Sequence, residues 1–269
     1  MKIIILILSI LLQYLPVLSQ NYIEYNKDII KAQMKILESD YDSSKYYYTI
    51  AFKKVSKPFP KDILNLANVY FYTDSIEICK KYIKKAIING AYYKFVKKRF
   101  KKKIRNVKFW NECKILSEDY IFNQKQDSLY KILFEMINND QQARKSIFNK
   151  KEKMIFTDSV NYNKLSRILT PFFYPGYQSV GTYLSMDIVS VLLLHFKYPD
   201  YKNIIINGLT KGEITPYMAA FIYTRQYKSH NNNSCPISLP ELIKETLRIY
   251  KGNKYKQVLK KGFNFNYHL

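Results

Sequence analysis

The sequence predicts an all-α protein, because glycine and proline are scarce while lysine, isoleucine, leucine and tyrosine are abundant. The apolar fraction and the cysteine count exclude other classes. The chain of 269 residues has only 7 glycines and 9 prolines, so it is poor in the residues that build tight turns. Apolar residues make up 47% of the chain, which is enough to bury a core. Its 3 cysteines are too few for a disulfide-stabilised scaffold. We therefore expect tetratricopeptide-like helical hairpins followed by an orthogonal helical bundle.

Residues 1–19 have the pattern of a signal peptide. Met1-Lys2 is a short positive start, the run Ile3–Leu12 is apolar, and Ser19 is a small residue before a cut. A membrane anchor needs about 20 consecutive apolar residues, and Gln13 and Pro16 interrupt this run too early. We expect cleavage near Ser19 and an exported chain, periplasmic or extracellular, with no transmembrane anchor after cleavage.

Residues 20–125 read as a region of helical repeats. Within it, residues 63–90 match the tetratricopeptide repeat, whose period is about 34 residues. The matching positions are Ile63, Leu66, Ala67 and Tyr70 on a first helix and Cys79, Ile83 and Ala86 on a second. The small residues among them let two antiparallel helices approach closely, and Asn89-Gly90 ends the second helix. Partial copies flank this unit, at residues 32–51 and 91–122.

The cysteines of the repeat region are expected to stay free. Cys79 and Cys113 lie one repeat apart, and equivalent positions on stacked hairpins are separated by roughly 8–10 Å. A disulfide needs Cα atoms within about 7 Å. Cysteine and histidine spacings match no zinc site either, so the sequence indicates no metal and no other cofactor.

A run of basic residues follows the best repeat. Its members are Lys97, Lys98, Arg99, Lys101, Lys102, Lys103 and Arg105. They form either a patch for an anionic surface or nucleic acid, or the solvated face of a helix that buries Phe100 and Ile104; the second interpretation is favoured. The net charge of +23 would attract anionic envelope surfaces. Most of this positive charge comes from lysine rather than arginine, which argues against nucleic acid as a partner.

Residues 126–269 carry a series of short motifs. They are Asp140-Gln141-Gln142-Ala143-Arg144; Asp158, Asn161, Leu165 and Ile168; Phe173-Tyr174-Pro175 with Val180-Gly181; Leu194-His195; and Ala220-Phe221-Ile222-Tyr223-Thr224-Arg225. In order and spacing they resemble an uncharacterised bacterial family, domain of unknown function 6624. That family often follows a signal peptide and helical repeats. The resemblance implies no activity, because the family has none assigned.

The polar residues of these motifs suggest a candidate pocket formed by Asp140, Gln141, Arg144, His195 and Arg225. Asp140 and Arg144 are four residues apart on a helix and can pair or point together into a cleft. His195 ends an apolar helix and titrates near neutral pH. The set is either a pocket for a small anionic or polar ligand, or a buried hydrogen-bonded network that ties three helices together. The network interpretation is favoured.

These observations favour an interaction or scaffold protein of the cell envelope, which binds a protein or peptide through its repeats. The alternative is a small-ligand-binding or hydrolytic protein with a polar pocket around His195. Catalysis is the weaker expectation. His195 with Asp140 is a minimal general-base arrangement, and no hydrolase motif accompanies it.

Overall fold

A computed structural model describes residues 21–181, 188–193 and 201–231 of the chain. The helices are α1 (Tyr22–Leu37), α2 (Tyr41–Lys53), α3 (Pro60–Tyr72), α4 (Ile76–Ile88), α5 (Tyr93–Phe100), α6 (Val107–Gln126), α7 (Ser128–Lys145), α8 (Lys150–Ile168), α9 (Ile188–Leu193), α10 (Tyr201–Thr210) and α11 (Pro216–Asn231). The only β-structure in these ranges is an isolated bridge between Thr170 and Phe173. The all-α prediction is confirmed. None of the helices so described combines the length and apolarity needed to cross a bilayer.

Helices α1 and α2 form the first hairpin, and polar caps fix where each begins. The Asn21 side chain accepts a hydrogen bond from the backbone of Glu24, and Asp40 accepts one from Ser43. The residues that the partial repeat match singles out for close packing are all buried: Ala32, Ser44, Tyr48 and Ala51. Small side chains at the contact therefore allow the two helices to pack closely.

Helices α3 and α4 form the second hairpin over the residues with the best repeat match. Pro60 opens α3 at a position where its missing N–H costs nothing. Six of the seven matched positions, all except Tyr70, are fully buried. Gly90 follows α4 with φ of 100°, the left-handed conformation expected of a helix stop. Stacking of the hairpins as tetratricopeptide repeats stays a prediction.

The third unit is less regular than the first two. Helix α5 ends at Phe100, and residues 101–103 form a turn, so the basic run crosses the end of a helix instead of following one helical face. Phe100 and Ile104 are buried as expected. The indole N–H of Trp110 donates to the backbone oxygen of Ile104 at 2.8 Å, which fixes the turn against α6.

Helix α6 continues through residues 123–126, where the sequence suggests a boundary between two domains. The helix break comes at Asp127, whose side chain accepts a hydrogen bond from the backbone N–H of Tyr130 and so caps α7. Four polar residues interrupt the apolar pattern here without ending the helix, because exposed polar side chains are compatible with helix. The division into two domains stays a prediction.

The loop after α8 inserts Tyr177 between the first two hairpins. The Tyr177 hydroxyl lies 3.0 Å from the backbone oxygen of Pro58 and 3.1 Å from that of Asn89, and its ring packs on Phe59. The carboxylate of Glu213 holds this loop by accepting backbone hydrogen bonds from Gly176, Gln178 and Ser179. The two halves of the chain are therefore in direct contact.

Candidate functional site

Asp140 forms the centre of an ionic network between α7 and α8. Its side chain is 1% exposed, and Arg144 approaches it through Nη2 at 2.8 Å and Nε at 3.1 Å. Gln141 donates to the other oxygen of the same carboxylate at 2.9 Å. Arg144 also reaches Asp158 of α8 at 3.0 Å. Asn161 adds a bond to the backbone oxygen of Met136, so the network ties α7 to α8.

The structure brings together part of the pocket that the sequence suggests. Asp140, Gln141 and Arg144 meet, and Asp158, which the sequence placed only in a family motif, joins them. His195 lies outside the described residues. Arg225 belongs to α11, but its side chain is likewise outside the description. Convergence of His195 and Arg225 on Asp140 stays a prediction.

A cleft of about 560 Å³ opens beside this network. Its lining includes Ala143, Lys145, Lys153, Phe156 and Val160. Asp140, Gln141 and Arg144 do not line it, because their side chains are engaged in the network next to it. The cleft is an open space between α7 and α8, and polar side chains such as Asn139, Gln142 and Thr157 line it together with these apolar residues and lysines.

Two members of the basic run turn inward towards the second hairpin. Arg99 donates from Nη2 to the side-chain oxygen of Asn65 at 2.9 Å, and Lys103 donates to that of Asn68 at 2.7 Å. Both asparagines are fully buried on α3. The other basic residues of the run are more exposed: Lys98, Lys101, Lys102 and Arg105 are open to solvent, and Lys97 is half-buried. A solvated helix face therefore describes most of the run but not Arg99 and Lys103.

The pKa values of both inward side chains are lowered, which shows how poorly water solvates them. Burial lowers the pKa of Arg99 to about 10. Burial, with the charge of Arg99 adding to it, lowers the pKa of Lys103 to about 8. The Nε of Arg99 is buried with no hydrogen-bond partner. We call Arg99 and Lys103 the inward cation pair.

The inward cation pair differs from the lysines of the first hairpin. Those form ion pairs with carboxylates on the same helix, as in Lys27–Glu24, Lys31–Asp28, Lys35–Glu38 and Lys45–Asp42. Within the described part of the chain, Arg99 and Lys103 contact asparagine amides and aromatic rings, and no carboxylate. A guanidinium and an ammonium held by neutral groups are suited to bind a carboxylate or phosphate.

Among the residues that the structure describes, neither cysteine is a reactive thiol and no cluster of metal ligands forms. Cys79 and Cys113 are buried free thiols. Burial raises the pKa of each thiol to about 12, so neither is a thiolate nucleophile near neutral pH. The described ranges bring no three His, Cys, Asp or Glu side chains together as a metal site.

No family model, curated protein or solved structure matches the chain. The resemblance to domain of unknown function 6624 therefore stays a prediction.

Proposed function

We propose that this chain is an exported interaction protein of the cell envelope, whose helical hairpins bind an acidic segment of a partner protein. Export is supported by the signal-peptide pattern of residues 1–19. The observation that carries the binding proposal is the inward cation pair. Two partly buried cations with no neighbouring carboxylate are energetically costly. A partner that supplies a carboxylate would offset this cost.

The surroundings of the pair favour a carboxylate-bearing peptide. Asn65 and Asn68 hold Arg99 and Lys103 in place by their side-chain oxygens. Phe71 and Tyr72 lie under the Lys103 ammonium at 4.4 and 4.8 Å and offer apolar area for the peptide's side chains. A charge-assisted hydrogen bond in such a poorly hydrated place is stronger than one at an open surface.

The test is a titration with a labelled ten-residue peptide rich in Asp and Glu, compared with its Asn and Gln counterpart. We expect the acidic peptide to bind the exported protein and the neutral peptide to bind at least tenfold more weakly. Arg99→Gln should weaken binding of the acidic peptide roughly tenfold or more, because it removes one charge-assisted contact.

The matched control is Lys101→Gln with Lys102→Gln, two exposed lysines of the same run. This double variant removes two positive charges, one more than Arg99→Gln, but it leaves both members of the inward cation pair in place. We expect it to lower the affinity by less than about threefold, as for rim charges. Equal losses in the two variants, or equal binding of both peptides, would show that the inward cation pair is not the binding site.

A small-ligand-binding or hydrolytic protein is the second candidate, and the cleft of about 560 Å³ between α7 and α8 is the observation that favours a ligand. We rank it below peptide binding. Asp140 is already neutralised by Arg144, and neither residue faces the cleft lining. A general base needs a carboxylate or imidazole within reach of the substrate's proton.

A further inference from the structure

The loop between α7 and α8 exposes two large apolar side chains at its tip. Ile147 is 88% exposed and Phe148 is 80% exposed. Phe156 and Val160, on α8 beside the cleft, are also exposed. We call Ile147, Phe148, Phe156 and Val160 the hairpin tip. Ile147 and Phe148 are the two most exposed large apolar side chains of the described residues, and grouped exposed apolar side chains mark interaction surfaces.

The hairpin tip adjoins a stretch of α8 that packs little against the rest of the described structure. Residues 150–160 of α8 include no buried residue, whereas Asn161 and Leu165 further along are buried. The Ser146 hydroxyl donates to the backbone oxygen of Phe148 at 2.8 Å, and Lys153 donates to the Ser146 hydroxyl at 3.1 Å. These bonds hold the loop in one shape while its apolar side chains face solvent.

Lysines surround the hairpin tip. Residues 145–153 contain Lys145, Lys150, Lys151 and Lys153 against the single acid Glu152, and all five side chains are exposed. Lys145 and Lys153 stand at the rim of the neighbouring cleft. The tip therefore combines exposed apolar side chains with a surrounding excess of positive charge.

We propose that the hairpin tip docks the protein on an anionic lipid bilayer, with Ile147 and Phe148 entering the boundary between headgroups and acyl chains. The surrounding lysines complement anionic headgroups, and their long apolar stems can lie beside the inserted side chains. A bilayer fits better than a protein partner, since a specific protein interface needs about 800 Å² from each side. The hairpin tip offers insertion of about 5–10 Å instead. The proposal is independent of peptide binding at the inward cation pair.

The test is sedimentation of the exported protein with vesicles that contain both phosphatidylglycerol and phosphatidylcholine. All variants are prepared with the same N-terminal residue. We expect binding to these vesicles and at least tenfold weaker binding to phosphatidylcholine alone. Ile147→Ser with Phe148→Ser should weaken binding at least tenfold. Lys150→Gln with Lys151→Gln should weaken it roughly 25-fold, since each surface lysine contributes about fivefold in affinity.

The control for the apolar residues is Val107→Ser with Phe122→Ser, which are 75% and 65% exposed on α6. It should bind within about twofold of the unchanged protein. Insertion is read directly with Phe148→Trp, whose fluorescence should shift to shorter wavelength and be quenched by brominated lipid, whereas Phe122→Trp should respond to neither. Unquenched Phe148→Trp on bound vesicles, or unchanged binding of the Ile147 and Phe148 variant, would overturn the proposal, as would no vesicle binding.

Discussion

At the residue scale, charges in this chain fall into two kinds that differ in burial. The Asp140–Arg144 pair is largely removed from water, with the Asp140 side chain 1% exposed. The Lys164–Glu135 pair joins the same two helices but its side chains are 41% and 61% exposed. Removing one partner of a buried pair strands the other charge, whereas an exposed pair is screened and its loss is small.

Arg144→Gln should therefore destabilise the protein by about 3 kcal/mol, because it removes the cation beside the buried Asp140 carboxylate. Lys164→Gln is the matched control between the same helices and should cost less than about 1 kcal/mol. Urea unfolding followed by circular dichroism measures both. Similar losses in the two variants would mean that the Asp140 carboxylate does not depend on Arg144.

Lys103 gives the stability of the protein a specific dependence on pH. Its pKa of about 8 in the folded protein is below the ordinary value of 10.5, because burial and the charge of Arg99 disfavour the ammonium. Between these two pH values the unfolded chain holds the proton that the folded protein has released, so stability rises with pH. Lys103→Met removes this contribution.

We expect the stability of the unchanged protein to rise relative to that of Lys103→Met as the pH increases from about 8 towards 10.5. Urea unfolding of both proteins at a series of pH values measures the difference. Lys102→Met, at an exposed position in the same turn, should follow the unchanged protein at every pH. A constant difference between the unchanged protein and Lys103→Met would contradict the lowered pKa.

At the element scale, the sequence predicts the hairpins better than it predicts what they bind. The positions of α3 and α4 follow from local rules, since Ala67, Cys79 and Ala86 are small where two helices touch. The inward turn of Arg99 is not visible in a run of basic residues, which reads as solvated. One signal for it exists: Arg99 lies 34 residues after Asn65, one repeat length, and the two are bonded.

The contact between the two halves could not be predicted from the sequence either. The Tyr177 hydroxyl donates a hydrogen bond to the backbone oxygen of Pro58, 119 residues earlier in the chain. No sequence periodicity links positions so far apart. The Asp140–Arg144 pair, in contrast, follows from helical spacing alone. Pairings within one helix are predictable, while those that depend on tertiary packing need the structure.

Gly212 lies against Tyr22 of α1, so its substitution tests the contact between the two halves of the chain. Its φ of 72° is in the left-handed region, and a Cβ there would overlap the ring of Tyr22 on α1. Gly212→Ala should therefore lower stability by about 2 kcal/mol or more, through backbone strain and displacement of the Tyr22 ring. Thermal unfolding measures the loss.

The control for Gly212→Ala is Lys202→Ala, an exposed change on α10 whose melting temperature should stay within about 2 °C of the unchanged protein. If the Gly212→Ala protein has the same melting temperature as the control, the contact between α1 and the turn after α10 does not contribute to stability.

At the scale of the whole molecule, three hydrophobic clusters divide the described chain. One joins α1 and α2 to one side of α3 and includes Tyr177, the second spans α3 to α6, and the third joins α7 to α11. The insertion of Tyr177 into the first cluster links the halves, so the chain can present the inward cation pair and the hairpin tip on one body. The proposed peptide-binding site and the proposed membrane-docking tip together would suit a protein that holds a partner at the envelope surface.

That role requires export, which the N-terminal residues predict. The apolar run Ile3–Leu12 is too short to span a bilayer but suits a signal peptide, and Ser19 offers the small side chain that a signal peptidase accepts before the cut. We expect the exported protein to begin at Gln20, which intact-mass measurement on protein from the periplasm or medium will show. Ser19→Phe should block cleavage and keep the chain at the membrane, because a bulky ring does not fit the cleavage site. Ser9→Phe, inside the apolar run, should leave cleavage unchanged, and an exported chain that still begins at Met1 would refute the signal peptide.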